Sequence, residues 1–248
     1  MSVIYILWLR QLKRYLRSRA RIIGSLGQPL LFLLALGFGF GPTFAKAGGG
    51  NYIQFLAPGV IAMGILFTAV FSGVEIIWDR QFGFLKETLV APVSRLQIVL
   101  GRALGGATVA LIQGVVVFII CLLAGFRFET VLFLPVALAF MFLIAVLFTA
   151  IGTAIGSVLE DMQGFQLIMN FIVMPLFFFS NALFPVRGLP KTLQFIVRVN
   201  PLTYGVDGIR GAFSHEFMFG LGTDFVVLGV LAAILLAIGS YLFSKIQL

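Results

Sequence analysis

The chain has 248 residues, of which 60% are hydrophobic and only 10% are charged, and its formal net charge is +8. Soluble domains carry about 25% charged residues, so this chain has too little charge to cover a surface that faces water. The basic residues stand beside apolar segments, which favours bilayer phosphates over nucleic acid as their partner. The single cysteine, Cys121, excludes an internal disulfide, a CxxC redox pair and a four-cysteine zinc site.

The N-terminal region combines basic charge with helical amphipathicity. Its first twenty-one residues contain six Lys or Arg and no acid, and the uncharged residues 22–40 follow directly. Anionic headgroups attract such a cluster, so it predicts a cytoplasmic N-terminus. Within residues 1–20 the apolar spacing predicts an interfacial helix that lies in the headgroup plane, anchored by Trp8 and Tyr15. A soluble basic tail is the alternative.

Six apolar segments are candidates for membrane crossing, since a helix needs roughly 20 mostly apolar residues to span hydrocarbon. They are residues 22–44, 55–78, 103–124, 131–158, 165–180 and 224–243. The fifth is short and contains Pro175. With the N-terminus inside, eleven basic residues fall on the cytoplasmic side and six outside. The sequence therefore predicts an all-α polytopic protein of the cytoplasmic membrane, one transmembrane domain over residues 1–248, with both termini cytoplasmic.

Two connections between spans are too long to be simple turns. The cytoplasmic connection, residues 79–96, has helical spacing in its middle and ends a helix before Pro92. A short amphipathic helix there fits either a lever moved by a soluble partner or an ordinary interfacial turn. The outer connection, residues 181–223, is too apolar for a solvated loop, so it predicts short re-entrant helices.

Glu75 is the one charged residue expected within the bilayer, and such residues are functional candidates. We expect it to pair with basic residues of the interfacial helix and to transmit motion, with substrate or proton handling as the alternative. The expected transmission residues are Glu75, Asp79, Arg10, Lys13 and Arg14. Arg102 is expected to extend to the inner interface.

Several other patterns limit the chemistry of this chain. No G-x-x-x-x-G-K-[ST] phosphate loop occurs, so we expect neither phosphate chemistry nor a cofactor in this chain. An intramembrane enzyme would need convergent acids, His or Cys at depth, and a channel would need polar rings; neither pattern is present. His215 stands alone, so no catalytic residue or metal ligand is predicted. Gly101-x-x-x-Gly105 and Gly152-x-x-x-Gly156 predict close helix packing within one protomer.

Three motifs occur in order along the chain: LAPG at 56–59, DRQFGFLKETLVAPVSR at 79–95 and NPLTYGVDGIRG at 200–211. With the six predicted spans, they resemble the ABC transporter type-2 permeases, nearest to the daunorubicin-resistance and nodulation lipo-oligosaccharide export permeases. The resemblance extends over essentially the whole chain. Asn200, Pro201 and Tyr204 mark the outer re-entrant segment in this comparison.

The resemblance implies a mechanism that the spacing alone does not indicate. Such permeases form dimers, here a homodimer among membrane lipids, and two cytoplasmic ABC ATPase subunits that hold ATP and Mg²⁺ dock beneath them. The helix over 82–89 would sit in an ATPase cleft and switch the cavity between inward-closed and outward-open states. The resemblance assigns ATPase coupling to Phe82, Gly83, Phe84, Leu85, Lys86, Glu87, Leu89, Pro92 and Arg95.

The resemblance also places the fifth span at the dimer axis with the first and second. The substrate-facing residues that it implies are Asn170, Met174, Phe177, Phe178, Phe67 and Phe71. The expected function is the export of an amphipathic drug, lipid or lipid-linked glycan across the cytoplasmic membrane. A polysaccharide or teichoic-type polymer exporter of the same fold is the alternative.

Overall fold

Apolar segments in hydrocarbon fold as α-helices, because their backbone groups find no hydrogen-bond partners but one another. A computed structural model describes residues 3–46, 51–85, 93–186 and 189–246. These ranges contain eleven α-helices and no β-strand. The helices are α1 (Val3–Arg17), α2 (Arg19–Phe32), α3 (Gly41–Lys46), α4 (Tyr52–Phe71), α5 (Val74–Gln81), α6 (Arg95–Leu123), α7 (Leu134–Val158), α8 (Met162–Phe178), α9 (Lys191–Val199), α10 (Pro201–Ser214) and α11 (Leu221–Ser244).

Five segments of the described chain are long and apolar enough to cross a membrane, and each overlaps a predicted span. They are Arg19–Phe38, Tyr52–Gln81, Arg95–Leu123, Val131–Val158 and Leu221–Ser244. The predicted fifth span corresponds to α8, which has 17 residues. At 1.5 Å per residue it extends about 25 Å, less than the hydrocarbon thickness of about 30 Å. The all-helical membrane fold is therefore confirmed, while α8 is short for a sixth crossing.

Helix α7 lies at the centre of the bundle. It packs against α4, α6, α10 and α11, and its Phe140, Ile144 and Phe148 are fully buried in the main apolar core. These helices surround it, so α7 fixes their positions relative to one another.

The second predicted span consists of two helices, α4 and α5, separated by Ser72 and Gly73. At this break, Gly73 lies against the backbone of Gly152, and Gly156 lies against the carbonyl of Gly73. A Cβ atom on any of the three would collide with the facing backbone. Small residues permit such close approach between membrane helices, so Gly152-x-x-x-Gly156 packs within the protomer, as predicted.

Helix α1 packs along α6 and buries Leu7, Gln11 and Tyr15. Leu7 and Gln11 lie directly over Gly101 and Gly105, which confirms that this glycine pair also serves packing within the protomer. The prediction that Tyr15 is a headgroup anchor is wrong: its side chain is 2% exposed, and its hydroxyl donates to Gln113 Oε1 at 2.7 Å.

Trp8, the other predicted anchor, also binds α6. It is half-buried, and its Nε1 donates to Thr108 Oγ1 at 3.0 Å. Helical spacing identified the buried face of α1, but that face covers another helix of the protein rather than lipid.

Two short helices, α9 and α10, occupy the connection for which short helices are predicted. Asn200 joins them: its side chain accepts from the Leu202 N–H at 3.0 Å and donates to the Leu176 carbonyl at 2.6 Å. Pro201 then begins α10 without leaving an unpaired N–H. Thr203 Oγ1 and the Tyr204 hydroxyl donate to the α9 carbonyls of Val197 and Arg198. The Asn-Pro-Leu-Thr-Tyr motif is thus a set of caps that holds both helices in place.

Candidate functional site

Ion pairs between buried side chains link the helices at the end of the bundle nearest residues 82–94. We call this end the α1 end of the bundle. Asp79 of α5 lies between two arginines, with Arg102 Nη2 at 2.6 Å from Oδ2 and Arg10 Nη2 at 2.8 Å from Oδ1. The side chains of Asp79 and Arg102 are 6% and 3% exposed. Asp79 therefore connects α1, α5 and α6 through one carboxylate.

Glu75 lies one turn before Asp79 on α5 and forms a second link. Arg21 of α2 approaches its Oε1 to 2.9 Å, and Arg14 of α1 lies 4.0 Å from its Oε2. Of the three predicted partners, Arg14 is therefore in range and Arg10 pairs with Asp79. Lys13 is exposed and forms no ion pair with any residue that the structure describes. We call Arg10, Arg14, Arg21, Glu75, Asp79 and Arg102 the ion-pair cluster.

Two of its members were not anticipated correctly from the sequence. Arg21 was missed because Ser18 is not helical, with φ −98° and ψ 81°, and the chain bends there between α1 and α2. The prediction that Arg102 extends to the interface is wrong, because the guanidinium is enclosed and held by Asp79. A buried charge is tolerated only when it is paired, and Asp79 supplies that pair.

The residues expected to couple to an ATPase differ in exposure. Phe82 is 82% exposed, and Leu85 is fully buried in a small apolar cluster with Leu7, Ile98 and Phe243. Gly83 has φ 77°, a conformation that glycine adopts readily. The ring of Phe84 lies 3.7 Å below the Arg10 guanidinium. Lys86, Glu87, Leu89 and Pro92 lie outside the described residues.

Two arginines near the two ends of this connection bind the ends of other helices. Arg80, near its start, donates to the carbonyls of Ser157 and Leu159 at 2.9 and 3.3 Å, where α7 ends. Arg95, near its end, donates to the carbonyls of Ser244 and Ile246 at 2.8 and 3.2 Å, where α11 ends. Basic side chains at helix C-termini satisfy carbonyls that have no partner within the helix. The connection is therefore attached at both ends to helices distant in sequence.

The expected substrate-facing residues of α8 do not share one face. Asn170 and Phe178 are exposed and Met174 is half-buried, but Phe177 is fully buried. Phe177 continues the buried stripe of Phe165, Met169 and Val173, and its ring meets Phe32 of α2 edge-on at 5.6 Å. The prediction that Phe177 lines the same surface as Asn170 is wrong, because the α8 stripe at i, i+4, i+8 and i+12 packs inward. On α4, Phe67 and Phe71 stack at 6.4 Å.

A second group of buried charges, which the sequence does not predict, lies at the opposite end of the bundle. The Asp207 carboxylate accepts from the N–H groups of Met218 and Phe219. Arg210 donates to the carbonyls of Asn181 and Phe55 at 2.8 and 3.2 Å. Burial lowers the pKa of the Arg210 guanidinium to about 10, against the opposing effects of Asp207 and Glu216, so it stays charged at neutral pH.

Asp224 belongs to the same group but has no donor among the described residues. Its side chain is fully buried, and neither carboxyl oxygen accepts a hydrogen bond from an N–H or hydroxyl group of the described residues. The Asp207 carboxyl lies close to it. The only sequence signal for the group was the spacing of Asp207 and Arg210, three residues apart in an otherwise uncharged segment.

The profile of the family described as ABC-2 type transporter matches residues 2–214. The chain belongs to this family. Nodulation protein J of Rhizobium leguminosarum bv. trifolii is 30% identical to it over 193 residues, 77% of this chain and 73% of that protein. Protein ycf38 of Cyanophora paradoxa, named as a transport permease, is 31% identical over 81% of this chain and 70% of its own. The inner membrane transport permease YadH of Escherichia coli K12 is 26% identical over 97% and 93%.

Membership of the ABC-2 family identifies the chain as a membrane-embedded transport permease of an ABC transporter. It also implies partnership with an ABC ATPase subunit. The sequence-based assignment to type-2 permeases is confirmed. The ABC-2 profile covers the ion-pair cluster, the connection between α5 and α6, and the α9–α10 segment.

Proposed function

We propose that this chain is the permease subunit of an ATP-driven exporter in the cytoplasmic membrane. Two copies pair with two ABC ATPase subunits, which bind ATP and Mg²⁺, and move an amphipathic drug, lipid or lipid-linked glycan outward. The α1 end faces the cytoplasm, because six basic residues precede residue 22 without a single acid. The ATPase docks at the connection between α5 and α6.

The observation that carries this proposal is the set of links around that connection. Asp79 ties α5 to α1 and α6, Arg80 ties it to α7, and Arg95 ties the start of α6 to α11. A displacement of the connection therefore acts on α1, α5, α6, α7 and α11 together. A permease that is driven by ATP hydrolysis in a separate subunit needs such a mechanical link between its helices.

The exposed ring of Phe82 is the part of the connection that we assign to direct contact with the ATPase. An aromatic side chain that is 82% exposed is typical of an anchor for a partner pocket. Leu85 has the opposite role. It is fully buried beneath α1 and α6, so a charge placed there would disturb the permease itself and would not report on docking.

The test is copurification of the tagged permease with its ABC ATPase after co-expression. Phe82→Ser should abolish copurification and transport-coupled ATP hydrolysis while the permease still folds. Leu123→Ser is the matched control, since Leu123 is 83% exposed but ends α6 far from the connection. If Phe82→Ser retains the ATPase as well as Leu123→Ser does, the docking assignment is wrong.

A further inference from the structure

A cavity of about 480 Å³ lies between α1, α2, α4, α5, α6 and the first turns of α8. Pockets of roughly 300–1,000 Å³ hold drug-sized ligands, so the volume suits one such molecule. Helices α2 and α8 touch near their far ends, where Phe32 meets Phe177 at 5.6 Å. Toward the α1 end, Gly24 of α2 and Gln166 of α8 both line the cavity and are both exposed. The cavity is therefore reached between α2 and α8.

Its inner wall is apolar and aromatic. Phe67 and Phe71 stack with an interplanar angle of 10°, and Phe165 meets Phe71 edge-on at 6.3 Å. Pro29 of α2 and Val109 of α6 also contact the space. Flat rings held by neighbouring rings form a preformed surface on which an aromatic or aliphatic body can pack without reorganisation.

The rim of the cavity carries charged side chains, and their net charge is positive. Arg21 and Glu75 line the cavity, and Glu75 is the common acceptor of Arg21 at 2.9 Å and Arg14 at 4.0 Å. Two guanidiniums thus share one carboxylate, and one positive charge is left over. Both guanidiniums also lie over the Trp78 ring, at 5.9 and 5.2 Å. If Arg21 turns to a ligand, Arg14 can still neutralise Glu75.

We propose that this cavity binds an anionic amphiphile, with its apolar body between Phe67, Phe71 and Pro29 and its acidic head at Arg21. The inference rests on the proposed function, which it narrows from amphiphiles in general to those with a negative head. An anionic detergent-like molecule and a lipid with an anionic headgroup present the same chemistry. Arg21 is the residue that selects them.

The chain offers its own reporter for this site. It has two tryptophans, Trp8 and Trp78, and only Trp78 lines the cavity. In a Trp8→Phe background, energy transfer from Trp78 to a bound naphthalene probe measures occupancy. The probes are 1-anilinonaphthalene-8-sulfonate and N-phenyl-1-naphthylamine, which share one ring system and differ by the sulfonate. Binding is measured on the purified full-length permease without ATPase or nucleotide.

We expect Arg21→Gln and Glu75→Gln to change the affinity for the sulfonate probe in opposite directions. Arg21→Gln should weaken binding of the sulfonate probe about tenfold, the loss of one charge-assisted hydrogen bond, and leave the neutral probe unchanged. Glu75→Gln should tighten binding of the sulfonate probe. Arg19→Gln is the matched control: it removes the same charge from the same helix but does not line the cavity, so it should change neither affinity.

A second experiment distinguishes an anionic lipid from a non-lipid amphiphile as the occupant of the cavity. In nanodiscs, quenching of Trp78 by brominated phosphatidylglycerol but not by brominated phosphatidylcholine identifies an anionic lipid as occupant. Quenching by neither lipid, with the sulfonate probe still bound, identifies a non-lipid amphiphile. The proposal is overturned if Arg21→Gln and Arg19→Gln bind the sulfonate probe equally well, or if the neutral probe binds as tightly as the sulfonate. Because no ATPase is present, failure here leaves the coupling test with Phe82 unaffected.

Discussion

Asp79 and Arg102 form an ion pair 2.6 Å long inside the bundle, with side chains 6% and 3% exposed. Arg102 lies 23 residues after Asp79, so the pair fixes the start of α6 against α5 across the connection between them. The pair also receives Arg10 from α1. Three helices therefore depend on one carboxylate for their relative position at this end.

We predict that Asp79→Asn destabilises the permease by about 3–5 kcal/mol, because it leaves the buried Arg102 charge without a counter-ion. Thermal unfolding of the purified protein measures the change. Arg102→Gln in the same chain should restore part of the loss, since no uncompensated charge then remains. Glu160→Gln is the control: its side chain is 86% exposed beside Arg80, and surface pairs contribute about 0–1 kcal/mol. Equal melting temperatures for Asp79→Asn and Glu160→Gln would contradict the prediction.

The link from Arg95 to α11 gives a second prediction. Arg95→Gln removes two hydrogen bonds to the carbonyls of Ser244 and Ile246. The loss of a hydrogen bond with a net contribution of about 1–1.5 kcal/mol should speed amide exchange over residues 242–246 about tenfold. Hydrogen–deuterium exchange with mass spectrometry measures it. Gln97→Ala, an exposed change two residues away, should leave this exchange unaltered; unchanged protection in Arg95→Gln would show that the link contributes nothing.

For Asp224 we predict that substitution to Asn stabilises the protein, whereas the same substitution at Asp79 destabilises it. Its carboxyl group is fully buried beside the Asp207 carboxyl and accepts no hydrogen bond from an N–H or hydroxyl group of the described residues, and an acid in such a place is costly. Asp224→Asn should therefore raise the melting temperature, by an amount equivalent to about 1–3 kcal/mol. Asp161→Asn removes the same charge at an N-cap of α8, where Asn is an equally good cap, and should change little. A lower melting temperature for Asp224→Asn would mean that the carboxylate has a partner.

Hydropathy and helical spacing were sufficient for most of the fold. Five predicted spans overlap helices long enough to cross a membrane, and the connection over 181–223 contains the short helices α9 and α10. Both depend on local sequence alone, since backbone in hydrocarbon must satisfy its own hydrogen bonds. The shortness of the fifth span is also predicted, and only its bounds differ, because α8 begins at Met162 and ends at Phe178, before Asn181 adopts φ 59°.

The partners of polar side chains could not be obtained in the same way. Periodicity shows which face of a helix is apolar but does not identify the neighbour that covers it, so it predicts a lipid contact for Tyr15, whose hydroxyl binds Gln113 of α6. Arg21 reaches Glu75 only because the chain bends at Ser18. The sequence predicts Arg102 at the interface because an isolated span offers no partner for its charge.

The contact of Gly73 with Gly152 has a consequence for motion. At this point two backbones touch with no side chain between them, so neither helix can slide toward the other. Tilting about the contact is still possible, because glycine leaves no side chain to interlock. The contact at the break between α4 and α5 thus acts as a pivot. When α5 tilts slightly at one face of the membrane, α4 moves in the opposite direction at the other face.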